Sequence, residues 1–234
     1  MMEVKDLSLP GVKFIRSKIF FDDRGFFRET FRQSLYREVG IGCDFVQDNH
    51  SFSRQGTVRG MHFQRYPGQA KLVSVITGRI FDVFVDIRPD SPTFGKWDGI
   101  YLDASLGEQI FIPVGYAHGF CAVSDHAHVC YKVSNIYDPS EERNFRFDDP
   151  FVGILWPIET PVLSDRDRKS PLLKEVVYRA QEGFVNYGLS ETKQNRSEAF
   201  RMRNPSLNGK GDEENRFGKV AASPNSQNLT EGGI

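Results

Sequence analysis

The amino-acid sequence predicts an all-β chain, a sandwich, jelly roll or small barrel with only a few short helices. Three observations carry that reading. Apolar and polar residues alternate with a period of two in Ile80-Phe-Asp-Val-Phe-Val-Asp-Ile87, the pattern of a pleated strand with one dry face. Short apolar runs are separated at regular intervals by Gly, Pro and Asp. The aromatic load is high, with 20 Phe against two Trp and four Met, which suits half-buried pleated surfaces better than a Leu/Ala-rich bundle.

The elements follow in order from about residue 12 to residue 164. Ser34-Leu-Tyr-Arg-Glu-Val-Gly40 reads as a short helix. Lys71-Leu-Val-Ser-Val-Ile-Thr77 reads as a strand, Gly78-Arg79 as a turn, and Ile80 to Arg88 as the returning strand. In that strand Phe81, Val83, Val85 and Ile87 share one face, and Asp82, Phe84 and Asp86 the other. Arg88 to Trp97 is a Pro/Gly-punctuated loop. Glu108 to Val114 and His128 to Ser134 are further strands. Residues 171–187 are expected to form a terminal helix. From Gly188 onward Asn, Ser, Lys, Glu and Gly dominate and apolar residues lose all period. Residues 188–234 therefore read as a polar, disordered tail, because such a segment cannot bury enough surface to offset its ordering entropy. The expected organisation is one domain over 1–187 with this tail appended. No internal repeat is visible.

Composition narrows the function classes. The 234 residues carry a formal net charge of −1, so no basic field points to nucleic acid or to a membrane surface. No apolar run approaches the roughly 18 residues needed to span a bilayer. The first residues lack a basic segment followed by an apolar one, so no secretory signal is expected. Cys43, Cys121 and Cys130 have no metal-like spacing and read as ordinary thiols in a reducing, cytoplasmic compartment.

Chemistry gathers around two histidines. His62 lies in Val58-Arg-Gly-Met-His62-Phe-Gln64, and His118 in Gly107-Glu-Gln-Ile-Phe-Ile-Pro113-Val-Gly115-Tyr-Ala-His118-Gly119. The second segment resembles the second motif of the cupin superfamily: Gly, five residues, Pro, one residue, Gly, two residues, His. The resemblance makes the expected fold a cupin-type jelly-roll β-sandwich. Metal-binding cupins carry His-x-His and then a Glu in their first motif. Here those positions read His62-Phe63-Gln64 and Lys71. A divalent cation needs neutral imidazoles and carboxylates, so no metal is expected. Lys71 instead favours a negative charge, a phosphate or an enolate oxygen. His126-Ala127-His128 has strand spacing that points both rings one way, but its plainer reading is an exposed loop pair.

A longer series resembles the dTDP-4-dehydrorhamnose 3,5-epimerase family. It runs from Asp23-Arg-Gly-Phe-Phe-Arg-Glu-Thr-Phe31 through Phe45-Val-Gln-Asp-Asn-His-Ser51, Arg59-Gly-Met-His-Phe-Gln64, Lys71-Leu-Val73 and Asp86-Ile-Arg88. It continues with Ser91-Pro-Thr-Phe-Gly95, Ile112 to Phe120, Tyr131-Lys132, Asp148-Asp-Pro150, Trp156-Pro157 and Leu163-Ser-Asp-Arg-Asp167. Together these cover about residues 12 to 175 in family order.

The resemblance implies a set of roles. His62 is the general base, as an imidazole titrating near pH 6.5 can be. Asp167 orients it and stabilises the imidazolium; its plainer reading is a turn residue in a charged run. Tyr131 is the acid on the opposite face of the sugar. Lys71 stabilises the enolate formed beside the C4 ketone. Arg59 and Arg24 suit a pyrophosphate, because guanidinium forks match its oxygens. Tyr137 stacks on the base. Glu29, Gln47, Asn49, His118 and Glu142 align with ligand-contacting positions. Gln47 and Asn49 read equally as turn closers, and Arg24 as a surface charge. Family members often carry Glu and Lys where Asp165 and Arg166 stand, so Arg166 takes over the cationic contact.

The implied partner is a dTDP-4-keto-6-deoxyhexose, with no cofactor. The implied assembly is a homodimer in which each subunit completes its neighbour's pocket. Three other readings remain: an epimerase inverting one centre or using a different nucleotide, a metal-dependent cupin oxygenase or isomerase, and a sugar-nucleotide binding module without catalysis.

Overall fold

The computed structural model describes residues 2–178. Thirteen strands in this span form two facing sheets and a separate hairpin. They are β1 (Glu3–Asp6), β2 (Lys13–Arg16), β3 (Ile19–Asp22), β4 (Gly25–Arg28), β5 (Gln47–Arg54), β6 (Val58–Gln64) and β7 (Lys71–Thr77). After these come β8 (Arg79–Asp86), β9 (Trp97–Asp103), β10 (Glu108–Ile112), β11 (Tyr116–Ala122), β12 (His126–Val133) and β13 (Glu142–Asn144). Three short helices accompany them: α1 (Gln33–Glu38), α2 (Asp165–Arg168) and α3 (Leu173–Tyr178).

The six-stranded sheet has the order β1-β2-β10-β7-β12-β5, and the five-stranded sheet β13-β6-β11-β8-β9. All strand pairings are antiparallel. The expected β-sandwich with few helices is what the chain adopts. Between the sheets lie Val73, Val75, Ile80, Phe84, Leu102, Ile110, Ile112, Phe120 and Val129. Burying such side chains drives the two layers together.

One expectation needs correction. The strand containing Phe81 does alternate, but both of its faces are dry. Ile80 and Phe84 enter the core between the sheets. Phe81, Val83 and Val85 pack outward against Phe145, Val152 and Leu173. The segment from β13 to α3 covers the outside of the five-stranded sheet, so neither face of β8 meets water. Asp82 and Asp86 share the inner face with Ile80 and Phe84 and are buried too.

The expected helix at 34–40 is α1, whose Tyr36 packs with Ile15, Ile41, Leu72 and Phe111 on the outside of the six-stranded sheet. Of the expected helix at 171–187 the described part is α3; the remainder, and the tail 188–234, lie outside the described residues. His126 and His128 are not a loop pair. They stand on β12, where each is registered against β5, and His128 Nδ1 lies 2.9 Å from His50 Nε2.

The β3–β4 hairpin belongs to neither sheet. Its base is tied down by Arg28, which donates to the carbonyls of Ala104 at 3.0 Å and Val75 at 3.3 Å. Its four phenylalanines, Phe20, Phe21, Phe26 and Phe27, are all exposed.

Candidate active site

The site is built from inward-facing residues at one end of the sandwich. His62 stands on β6 between β11 and β13, registered against His118 on one side and Asn144 on the other. This placement depends on glycines. A Cβ on Gly60, whose φ is +131°, would lie 2.6 Å from Gly119 Cα. The two strands therefore approach backbone to backbone beside both histidines.

His62 Nε2 lies 2.6 Å from Asp167 Oδ1. Asp167 reaches it from the single turn α2, which Ser164 caps by accepting from the Asp167 N–H at 3.0 Å. Asp167 is thus a buried hydrogen-bond partner of His62, not a surface turn residue. Burial alone would raise its carboxyl, but the hydrogen bond and charge of His62, the Ser164 hydroxyl and the Arg166 charge outweigh that. The net result holds it below the usual carboxylate range.

Lys71 opens β7 on the same inward face as Val73 and Val75 and is 8% exposed. Its ammonium donates to the His62 carbonyl at 3.4 Å. Desolvation pulls its pKa down to about 8, against the opposing pull of Asp82 and Glu142. Across the interior, His118 Nε2 lies 2.8 Å from Asp82 Oδ2. Burial pushes the His118 imidazole below its ordinary value, although the Asp82 charge works the other way.

Tyr131 stands on β12 in the facing sheet, registered between Asn49 and Val73 and packed against the inter-sheet core. Its phenol is pushed up by burial and by the Glu142 charge, with Arg59 pulling the other way. His62 and Tyr131 thus belong to opposite layers of the sandwich.

A polar chain rims the site. Gln47 donates to Asn49 Oδ1 at 2.8 Å, and its Oε1 accepts the Tyr137 N–H at 2.9 Å. The Tyr137 hydroxyl donates to Glu142 at 2.6 Å, and Arg166 pairs with the same carboxylate at 2.7 Å. Gln47 and Asn49 are therefore strand residues of β5 facing inward, not turn closers. Arg59 is steered by Ser53 Oγ at 3.0 Å and the Phe52 carbonyl at 2.9 Å. Gln64, at a metal-ligand position in other cupins, accepts the Asp138 N–H at 3.1 Å and so closes a loop.

Two expected residues are not brought in. Arg24 sits in the β3–β4 turn, paired to Asp22 at 2.7 Å with its side chain 90% exposed. Glu29 follows that hairpin and pairs with Arg32 at 2.8 Å. Conversely, the sequence reading assigned no part to Asp82. The available signal was a carboxylate in the middle of an apolar strand, since such residues are rarely buried unless paired.

Comparison with known proteins supplies the family. Residues 6–175 match the model of the dTDP-4-dehydrorhamnose 3,5-epimerase family. The dTDP-4-dehydrorhamnose 3,5-epimerase of Shigella flexneri is 48% identical over 71% of this chain and 93% of its own. A dTDP-4-dehydrorhamnose 3-epimerase from Streptomyces niveus is 41% identical over 74% of this chain and 85% of its own. Among solved structures, the dTDP-6-deoxy-D-glucose-3,5-epimerase of Legionella pneumophila in complex with dTDP-4-keto-L-rhamnose has a TM-score of 0.74. It is 40% identical and covers 80% of this chain and 100% of its own. ChmJ, a 3'-monoepimerase from Streptomyces bikiniensis solved with dTDP-quinovose, has a TM-score of 0.69 at 33% identity, covering 84% of this chain and 98% of its own. The His62–Asp167 pair, a buried lysine and a facing tyrosine thus stand in a fold shared with these epimerases, and the chain belongs to the dTDP-4-dehydrorhamnose 3,5-epimerase family.

Proposed function

We propose that the protein inverts C3 and C5 of dTDP-4-dehydro-6-deoxyglucose, giving dTDP-4-dehydrorhamnose. The observation that carries this is the 2.6 Å His62–Asp167 pair, with the Lys71 ammonium donating to the His62 carbonyl. The C4 ketone acidifies the protons on both neighbouring carbons. His62 removes one of them, and Asp167 stabilises the imidazolium that forms. The electron pair moves onto the ketone oxygen, where the Lys71 charge stabilises the enolate. Tyr131, from the facing sheet, delivers a proton to the opposite face of the carbon.

Arg59 binds pyrophosphate oxygens, Tyr137 stacks on the base, and Gln47, Asn49, Glu142 and Arg166 frame the nucleotide and sugar. Neither a metal nor a cofactor takes part. The protein acts as a cytoplasmic homodimer. Four exposed phenylalanines on a hairpin outside both sheets support an interface there, as does the marginal stability of a two-stranded hairpin in water. The same arrangement sends Arg24 and Glu29 into the partner's pocket.

The test is incubation with dTDP-4-dehydro-6-deoxyglucose in heavy water. Deuterium at both C3 and C5 of the product is expected. A second reading, inversion at C3 alone, is favoured by the 41% identity to a 3-epimerase; label confined to C3 would establish it. Loss of turnover on chelation, restored by a divalent ion, would overturn the metal-free site.

A further inference from the structure

Asp82 lies in the middle of β8 on the same face as Ile80 and Phe84 of the inter-sheet core. Its carboxylate is fully buried, at 0% exposure. Oδ2 accepts from His118, while Oδ1 has no hydrogen-bond partner among the described residues. A buried carboxylate left half satisfied is expensive unless a cation compensates it. His118 supplies little compensation, because burial favours its neutral form.

Lys71 faces the same interior from the other sheet, with one long hydrogen bond to the His62 carbonyl. The ionisable groups that bear on it are His62 on β6, through its carbonyl, Asp82 on β8, His118 on β11 and Glu142 on β13, and Tyr131 stands on the neighbouring strand β12. Of the two carboxylates, Glu142 already pairs with Arg166 and accepts from Tyr137. Asp82 has an oxygen to spare.

We propose that Asp82 is the positioning residue that keeps Lys71 an ammonium ion in the active site, its free oxygen supplying the counter-charge while the other holds the His118 ring. The part this plays in catalysis rests on the epimerase reading; the charge relation between the two residues does not. Burial pushes the Asp82 carboxyl up and the Lys71 ammonium down, and each charge restrains the other's loss.

The experiment is an NMR titration of the Lys71 side chain in the full-length wild type and in Asp82→Asn, without substrate. Lys71 should titrate near pH 8 in the wild type, and on the order of one pH unit lower in the variant, the size expected for one nearby opposite charge. The alkaline limb of kcat/KM should move with it, while the acid limb stays in place. A uniform fall in rate with both titrations unmoved would reduce Asp82 to a support for His118 and overturn the proposal. An inactive wild type would refute the epimerase reading, yet the Lys71 titration would still decide the charge relation. Should Asp82→Asn fail to fold, the Asp82→Asn/Lys71→Met pair removes both charges and should recover the folded state. A double variant that also fails to fold would overturn the proposal.

Discussion

At the level of single residues, His62 and Tyr131 are expected to separate by mutation. Inversion needs a proton to leave one face of the sugar and arrive on the other, and these residues stand in opposite sheets. His62→Asn should stop deuterium entering at C3 and C5, with a rate loss of about 10² to 10⁴ appearing mainly in kcat. Tyr131→Phe should still permit exchange through His62 while epimer formation drops. Full exchange in the first variant, or normal inversion in the second, would reassign the roles. Lys71 also sets a pH dependence. Its pKa lies near 8 because burial disfavours the ammonium, so the ammonium, the form proposed to stabilise the enolate, dominates below that pH and is lost above it. The kcat/KM profile should therefore fall on the alkaline side from about pH 8, well before free lysine would deprotonate.

At the level of elements, the approach of β6 to β11 sets the position of both histidines. A Cβ on Gly119 would meet Met61 Sδ at 2.7 Å and the Arg59 carbonyl at 2.8 Å. Gly119→Ala should therefore cost roughly 1–3 kcal/mol, as overpacking does, read as a lower midpoint in urea. It should also lower kcat, because Met61 adjoins His62. A variant with unchanged stability and rate would show that the strands can part without consequence. The strands themselves were legible where alternation was strong, as in β7 and β8. What alternation could not report was that β8 is dry on both faces, because that depends on the segment from β13 to α3 lying over it.

For the whole molecule, Arg24 offers a test of assembly. It lies on the exposed hairpin outside both sheets, paired with Asp22. If it completes the partner's pocket, Arg24→Ala and His62→Asn homodimers should each be impaired, the former mainly in KM. Mixed and allowed to exchange subunits, they should regain activity, because a hybrid dimer holds one pocket with both residues intact. No recovery despite demonstrated exchange would place Arg24 outside the shared site. Since residues 6–175 match the family, a chain ending at Tyr187 should dimerise and turn over like the full one. Loss of the dimer on that truncation would show that the remaining residues contribute to it.

The sequence by itself determined the β-sandwich class, through period-two alternation and turn spacing, because both are local properties of the chain. It also singled out His62, Lys71, Tyr131 and Asp167 as candidates, because each lies in a short string that resembles the family's. Tertiary structure alone decided that His62 and Asp167, 105 positions apart, meet at 2.6 Å. It alone joined Gln47, Tyr137, Glu142 and Arg166 into one polar chain. Asp82 shows the reason most directly. On the strand it is a carboxylate among apolar residues, a signal that names no partner. Only the closing of two sheets takes it out of water, in the same interior that Lys71 faces, and which groups share that interior is a property of the packed whole that no local pattern encodes.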